Sequence, residues 1–394
     1  MDATLPLAKQ DFSLVLGGPI YQLFRRAHLS GPALEQLWRR IWIITGVAWG
    51  PLLLLSIADG HAVGPPSTLP FLRDIEAQVR FLIAVPVFIA AELVVHQRTR
   101  AIVTQFLDRG VVRPEDAPRF DALIASAMRL RNSVPIELGL IVLVATVGHW
   151  LWRSTIAFGA GSWYAVPEGD GMHLTRAGLW LAAVSLPIAQ FLLVRWYFRL
   201  LVWFRFLFQV SRMDLHLVPT HPDRAAGLSF VGKGTYAFGP LLFAQGALLA
   251  GLIATRVLYG GQTLMQFKMD AIGLIAFFVL FLLGPLLVFT PALSRAKRAG
   301  LAQYGKLASV YVIAFENRWI RGEVKDDELL GTGDIQSLSD LGASYSVVRE
   351  MNVVPFGLQD VTRLAVATAL PLLPLGLTVF SLEELVMRLL KIVF

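Results

Sequence analysis

The chain is predicted to be an all-α polytopic membrane protein, with about seven transmembrane helices and a small cytoplasmic helical layer. Three observations predict this. Hydrophobic residues make up 55% of the 394 and charged residues only 16%, against roughly 25% charged in a soluble domain. Mean hydropathy is +0.60. Apolar runs recur seven times at about the 20 residues that a helix needs to cross a bilayer. Together with the absence of Cys, they exclude a disordered chain, a disulfide scaffold and an ordinary soluble enzyme.

In chain order, residues 1–40 read as a cytoplasmic or interfacial segment, with an apolar patch over 12–20 broken by Gly17, Gly18 and Pro19. No small-residue cleavage site follows convincingly, so the first span is expected to act as its own insertion signal. The spans are read at 41–58, 79–95, 135–152, 177–194, 237–259, 271–291 and 364–380. The second carries Arg80 and Glu92, and the seventh carries Pro371 and Pro374, which predicts a tilted or broken helix. The loop 96–134 reads as helix, turn at Arg113-Pro114, then helix, with Phe120, Leu123, Ile124, Ala127 and Leu130 on one face. The fourth span is expected to run on past the membrane, since 195–213 holds no Gly or Pro. There arginines alternate with aromatics, a pattern of interfacial snorkelling or of a basic lining for an anionic pathway or headgroup. The cytoplasmic segment 292–363 reads as a helix over 301–317, a charged loop over 322–333, and a helix over 334–351 with Ile335, Leu338, Leu341, Tyr345 and Val348 on one face. Residues 364–394 hold the last span and tail. Pro86 and Pro187 take like positions in two successive hairpins, a hint of duplication.

Orientation follows from the basic residues. With the N-terminus inside, the inner segments hold 27 of the 35 Lys and Arg. The N-terminus is therefore expected in the cytoplasm and the C-terminus in the periplasm. Trp38, Trp42, Trp150, Trp152, Trp163 and Trp180 fall near the span boundaries, where amphipathic rings settle. The +7 net charge marks the face beside anionic lipid headgroups and not a nucleic-acid surface. The partners expected are thus the bilayer itself, its inner-face headgroups and a second copy of the chain, with no nucleic acid.

Two groups of residues carry candidate chemistry. Glu92, His96 and Glu137 lie near the inner ends of spans two and three, with Arg131, Arg195 and Arg199 at similar depth. Ionisable groups there mark ion paths or gates; the structural alternative is a salt-bridge network locking the helices. The loop between spans four and five gathers Asp214, His216, His221, Asp223 and Arg224. Two His and two Asp suit a divalent metal, although His216 and His221 would point about 140° apart on a helix. The same residues also fit a helix cap, with Thr220 as N-cap and Asp223 three residues on, or an anion contact through His221 and Arg224. The run from Gly227 to Gly234 nearly matches a phosphate-binding loop, but Gly234 stands where Ser or Thr must hold magnesium. No zinc-protease or serine-hydrolase motif occurs, and no cofactor is implied.

The string PTHPDRAAGL, the later GTGDIQSLSDLGASYSVVREMNVVPF and the proline-rich last span resemble a group of uncharacterised bacterial inner-membrane proteins over most of the second half of the chain. The resemblance implies a bacterial inner membrane and a multi-span helical fold, and it brings no activity. The expected function is a channel or transporter for ions or small solutes. A scaffold or regulatory subunit working through 292–363 is the alternative, and a membrane-embedded enzyme using the 216–224 loop is third.

Overall fold

The computed structural model describes residues 12–19, 21–22, 36–64, 69–156, 162–168, 171–322 and 333–378. The charged loop expected over 322–333, except its two end residues, lies outside these, as do residues 379–380 of the last expected span. Nine helices organise the described chain. They are α1 (Leu37–Ala58), α2 (Ile75–Asp108), α3 (Ala117–Arg131), α4 (Val134–Ser154), α5 (Arg176–Val210), α6 (Ser229–Tyr259), α7 (Leu264–Ile320), α8 (Asp334–Glu350) and α9 (Leu358–Leu377). All but α3 and α8 are long and apolar enough to cross a membrane. The protein is therefore an all-α, multi-pass membrane protein.

The helices sit where the sequence puts them, although each spanning helix begins before its expected span. α2 starts four residues before the expected span and continues to Asp108, because an amphipathic extension packs Ile102, Val103 and Phe106 inward. α5 runs on to Val210, close to the end near 213 that the lack of Gly and Pro predicts. The sixth span and the helix expected over 301–317 form the single 57-residue α7. On α8, Val348 is buried and Leu338, Leu341 and Tyr345 are half-buried, but Ile335 is exposed. One small β-hairpin, Ala165–Glu168 with Gly171–Leu174, was not expected.

Proline chemistry explains most of the breaks in the spans; the wide turn Val144–Gly148 of α4 has no proline after it in that helix. A proline lacks an N–H and frees the carbonyl four residues back. Pro86 and Pro187 each follow a wide, π-type turn, over Arg80–Ala84 and Leu181–Ser185 respectively. Each turn contains the freed carbonyl. The two breaks occupy matching places in the hairpins α1–α2 and α4–α5, in keeping with the hint of duplication. Pro285 and the pair Pro371 and Pro374 lie in tight 3-10 stretches, Gly284–Phe289 and Leu370–Thr378, so the last span is a helix that tightens along its second half. Pro51 leaves α1 unbroken. Its freed carbonyl, that of Val47, accepts the Trp180 indole N–H at 3.2 Å, and the neighbouring Ala48 carbonyl accepts the Ser185 hydroxyl at 2.6 Å.

Ion pairs and close contacts bring the start of α1, the end of α2, the start of α4, the end of α5 and the start of α6 to one end of the bundle. This basic end also carries α3 and α8. At the far end Trp163 is not an interfacial residue. It is 1% exposed, packs edge-on to Phe71 and donates its indole N–H to Asp74 at 2.8 Å. Trp38, Trp42 and Trp150 are exposed, as residues facing lipid are.

Candidate functional site

The residues expected to cluster at membrane depth do meet. Glu92, on α2, is 3% exposed, and each of its carboxylate oxygens holds a guanidinium. Oε1 accepts from Arg199 of α5 at 2.8 Å, and Oε2 accepts from Arg40 of α1. Glu137, at the start of α4, faces Arg195 of α5 at 3.5 Å. Arg199 also lies over the Trp196 ring at 4.8 Å, a cation–π contact that further holds its side chain. His96, one turn after Glu92, turns instead to the Ser13 hydroxyl, 2.9 Å from its Nδ1.

Ser13 belongs to a strap over residues 12–18 that closes the cluster from the basic end. Phe12 anchors the strap between Trp203 and Phe206, with ring centroids at 5.7 and 4.9 Å. The Ser13 carbonyl accepts from Arg131. The strap can lie this close because of Gly17 and Gly18. Both have positive φ, and a Cβ on Gly17 would stand 2.2 Å from the Arg131 guanidinium. Beneath the strap lies a cavity of about 10 Å³ between Leu14, Gly17, Arg131, Glu137, Arg195 and Arg199, the volume that one water fills.

Four guanidiniums thus surround two carboxylates, a formal excess of two positive charges in a nearly closed site. The crowding is felt at Arg131, just outside the spans. Burial, and after it the nearby Arg199 guanidinium, pull Arg131 below the ordinary guanidinium value, to about 10. Sequence reasoning missed Arg40 and Ser13. Arg40 stands one residue before the expected first span, and its depth beside Glu92 was the available signal. Nothing local pointed to Ser13.

The loop candidates do not join this cluster. Asp214 is exposed and lies 3.4 Å from Arg113, and His216 is exposed. Arg224 pairs with Glu350 at 3.1 Å, and its carbonyl accepts the Asn352 N–H at 2.7 Å. Asp223 is the hub of the loop. It accepts backbone N–H bonds from Ala225 at 2.9 Å, Gly227 at 3.0 Å and Ser229 at 3.1 Å, with His221 Nδ1 2.9 Å from the same carboxylate. No helix begins at Thr220, so the expected cap geometry is corrected. Asp223 instead braces a turn in which Arg224 and Ala226 have φ of 55° and 52°, and it reaches the first residue of α6. Burial pushes the Asp223 carboxyl up, but the three backbone N–H groups together hold it below its ordinary value. Among the described residues, no three His, Asp or Glu side chains gather as a metal site requires. The phosphate-loop likeness also has a packing cause. A Cβ on Gly232 would meet the Pro355 carbonyl at 2.2 Å, and one on Gly234 would meet Ile102 at 2.5 Å.

Fold and site together define a multi-pass helical membrane protein with a closed, cation-rich site at one end of its bundle. No family model, curated protein or solved structure matches the chain.

Proposed function

We propose that this is a bacterial inner-membrane protein, with its basic end in the cytoplasm, that works as a channel or transporter for a small anion. The carrying observation is the set of Arg40, Arg131, Arg195 and Arg199 around only Glu92 and Glu137, gathered at the inner ends of the spans in a nearly closed site, where unbalanced charge is costly and is kept for function. The strap over residues 12–18 is the closed gate of the cytoplasmic side, and the proline-linked turns in α2 and α5 let the walls of the site shift. The sequence resemblance to bacterial inner-membrane proteins supports the location. Anionic headgroups are drawn to the same basic face. α4, whose apolar residues are almost all unburied, offers the face on which a homo-oligomer would form.

The test is anion flux, chloride and phosphate, into liposomes holding the full chain. Gly17→Leu, which unseats the strap from Arg131, is expected to raise the flux, and Arg199→Gln to lower it. A chain that passes neither anion in either form refutes the reading. A second reading, a scaffold for an envelope complex, is favoured by one observation. The part of α7 beyond the membrane leaves Leu307, Val310 and Ile313 exposed, spaced as one apolar stripe. Co-purifying membrane proteins lost in Val310→Glu would support it.

A further inference from the structure

We propose that the groove between α1, α4 and α5 holds one acyl chain of an anionic phospholipid from the leaflet on the basic side, with the lipid phosphate on Arg195. The groove has a volume of about 550 Å³, within the range of roughly 300–1,000 Å³ usual for ligand sites. Ile44 of α1, Ile141 and Ala145 of α4, and Pro187 and Phe191 of α5 form its walls, and Arg195 is its one charged residue. Ile141, Ala145 and Ala183 are exposed, so the groove opens sideways towards lipid.

Its dimensions match a lipid tail. Along α5 it runs over residues 183–195, about 18 Å at the helical rise. Half of a hydrocarbon core of about 30 Å is about 15 Å. The groove is therefore about as long as one leaflet is deep, and it ends at Arg195, one residue past the expected inner end of the fourth span. The cause is local. The wide turns Val144–Gly148 of α4 and Leu181–Ser185 of α5 both contribute residues to the end away from Arg195. Small residues there, Ala145 and Ala183, leave the space empty.

Charge selects the occupant. Arg195 lines both the groove and the small cavity of the cluster. Its carboxylate neighbour Glu137 stands at 3.5 Å, against 2.8 Å for Arg199 and Glu92. A phosphate on the groove side would add a charge-assisted contact and offset part of the two-charge excess. A net-anionic headgroup does this, whereas a zwitterionic one brings its own cation. The inference rests on the reading above only for the side of the membrane and the class of lipid, and it does not require the cluster to conduct.

The test is lipid retention by the full chain in mild detergent, read by native mass spectrometry with phosphatidylglycerol or phosphatidylcholine of the same acyl chains. One phosphatidylglycerol per chain should be retained, with a preference of about tenfold or more. Ala183→Trp, which fills the groove and leaves every charge in place, should lose that lipid, and Arg195→Gln should lose the preference. Equal retention of the two lipids, phosphatidylglycerol still held by Ala183→Trp, or a lipid-free dimer joined through this groove would each overturn the proposal. Lost retention with anion flux intact sinks the lipid site alone, and lost flux with retention intact sinks the pathway alone.

Discussion

The two ends of the bundle close over buried carboxyl groups in opposite ways. At the far end the segment holding Trp163 folds back over Asp74, which is 6% exposed and receives one indole N–H and the Ala77 backbone N–H at 3.0 Å. At the basic end a strap folds back over Glu92, whose two oxygens are held by guanidiniums. Nearby, three backbone N–H groups grip Asp223. The difference teaches that burial alone does not set the state of a carboxyl; the kind and number of its donors do. Burial pushes Asp74 above its ordinary value, because two neutral donors make up only part of the lost hydration. Asp223, with a third donor and less burial, is held below its own.

The contrast is broken most sharply at Glu92. Glu92→Gln leaves Arg40 and Arg199 facing a neutral amide, and breaking such a pair costs about 3–5 kcal/mol. Thermal unfolding in detergent should show this as the largest single loss, and a change below about 1 kcal/mol would mean that the arginines relax to water. Next comes Asp223→Ala, which strips three N–H groups of their acceptor and should cost about 1–3 kcal/mol. The folded-state pKa of Asp223 is lowered, so its contribution is present above the ordinary carboxylate pKa and fades as pH falls through the folded value. Wild type and Asp223→Ala should therefore converge in acid; a gap that persists there would place the effect in packing.

The smallest effect belongs to Asp74 and has the opposite sign. Its folded pKa is raised, so its favourable contribution is complete below the ordinary value near 3.8 and is lost as pH rises through the folded value. Relative to Asp74→Asn, the wild type should lose stability on going from acid to neutral pH. Unfolding midpoints measured against pH for the pair would show it, and parallel curves would mean that Asp74 titrates as in the unfolded chain.

Much of the fold was legible because span length and hydropathy are local properties. So were the proline breaks, since each proline acts on the carbonyl four residues behind it. The site was legible in part. Glu92, Glu137, Arg195 and Arg199 were picked out by depth alone, and depth is counted along a helix. Which arginine meets which glutamate depends on how the hairpins α1–α2 and α4–α5 rotate against each other, and no spacing encodes that. His96 shows the limit. Its helix face was right, yet its partner is Ser13, 83 residues away. The 216–224 loop looked like metal chemistry because His and Asp are dense there. The backbone claimed Asp223 first, as short polar side chains in turns do.

The 57-residue α7 continues past its tight stretch, Gly284–Phe289, as regular helix from Thr290 to Phe315, with a wide turn at Glu316–Ile320. Residues 290–320 extend about 45 Å at the helical rise. A rotation of about 5° at that stretch would carry the far tip through about 4 Å, by the same rise per residue. The helix is thus a lever with its fulcrum at the tight stretch. A shift among the spans too small to notice at the charge cluster becomes a displacement the size of a side chain at the far end of α7.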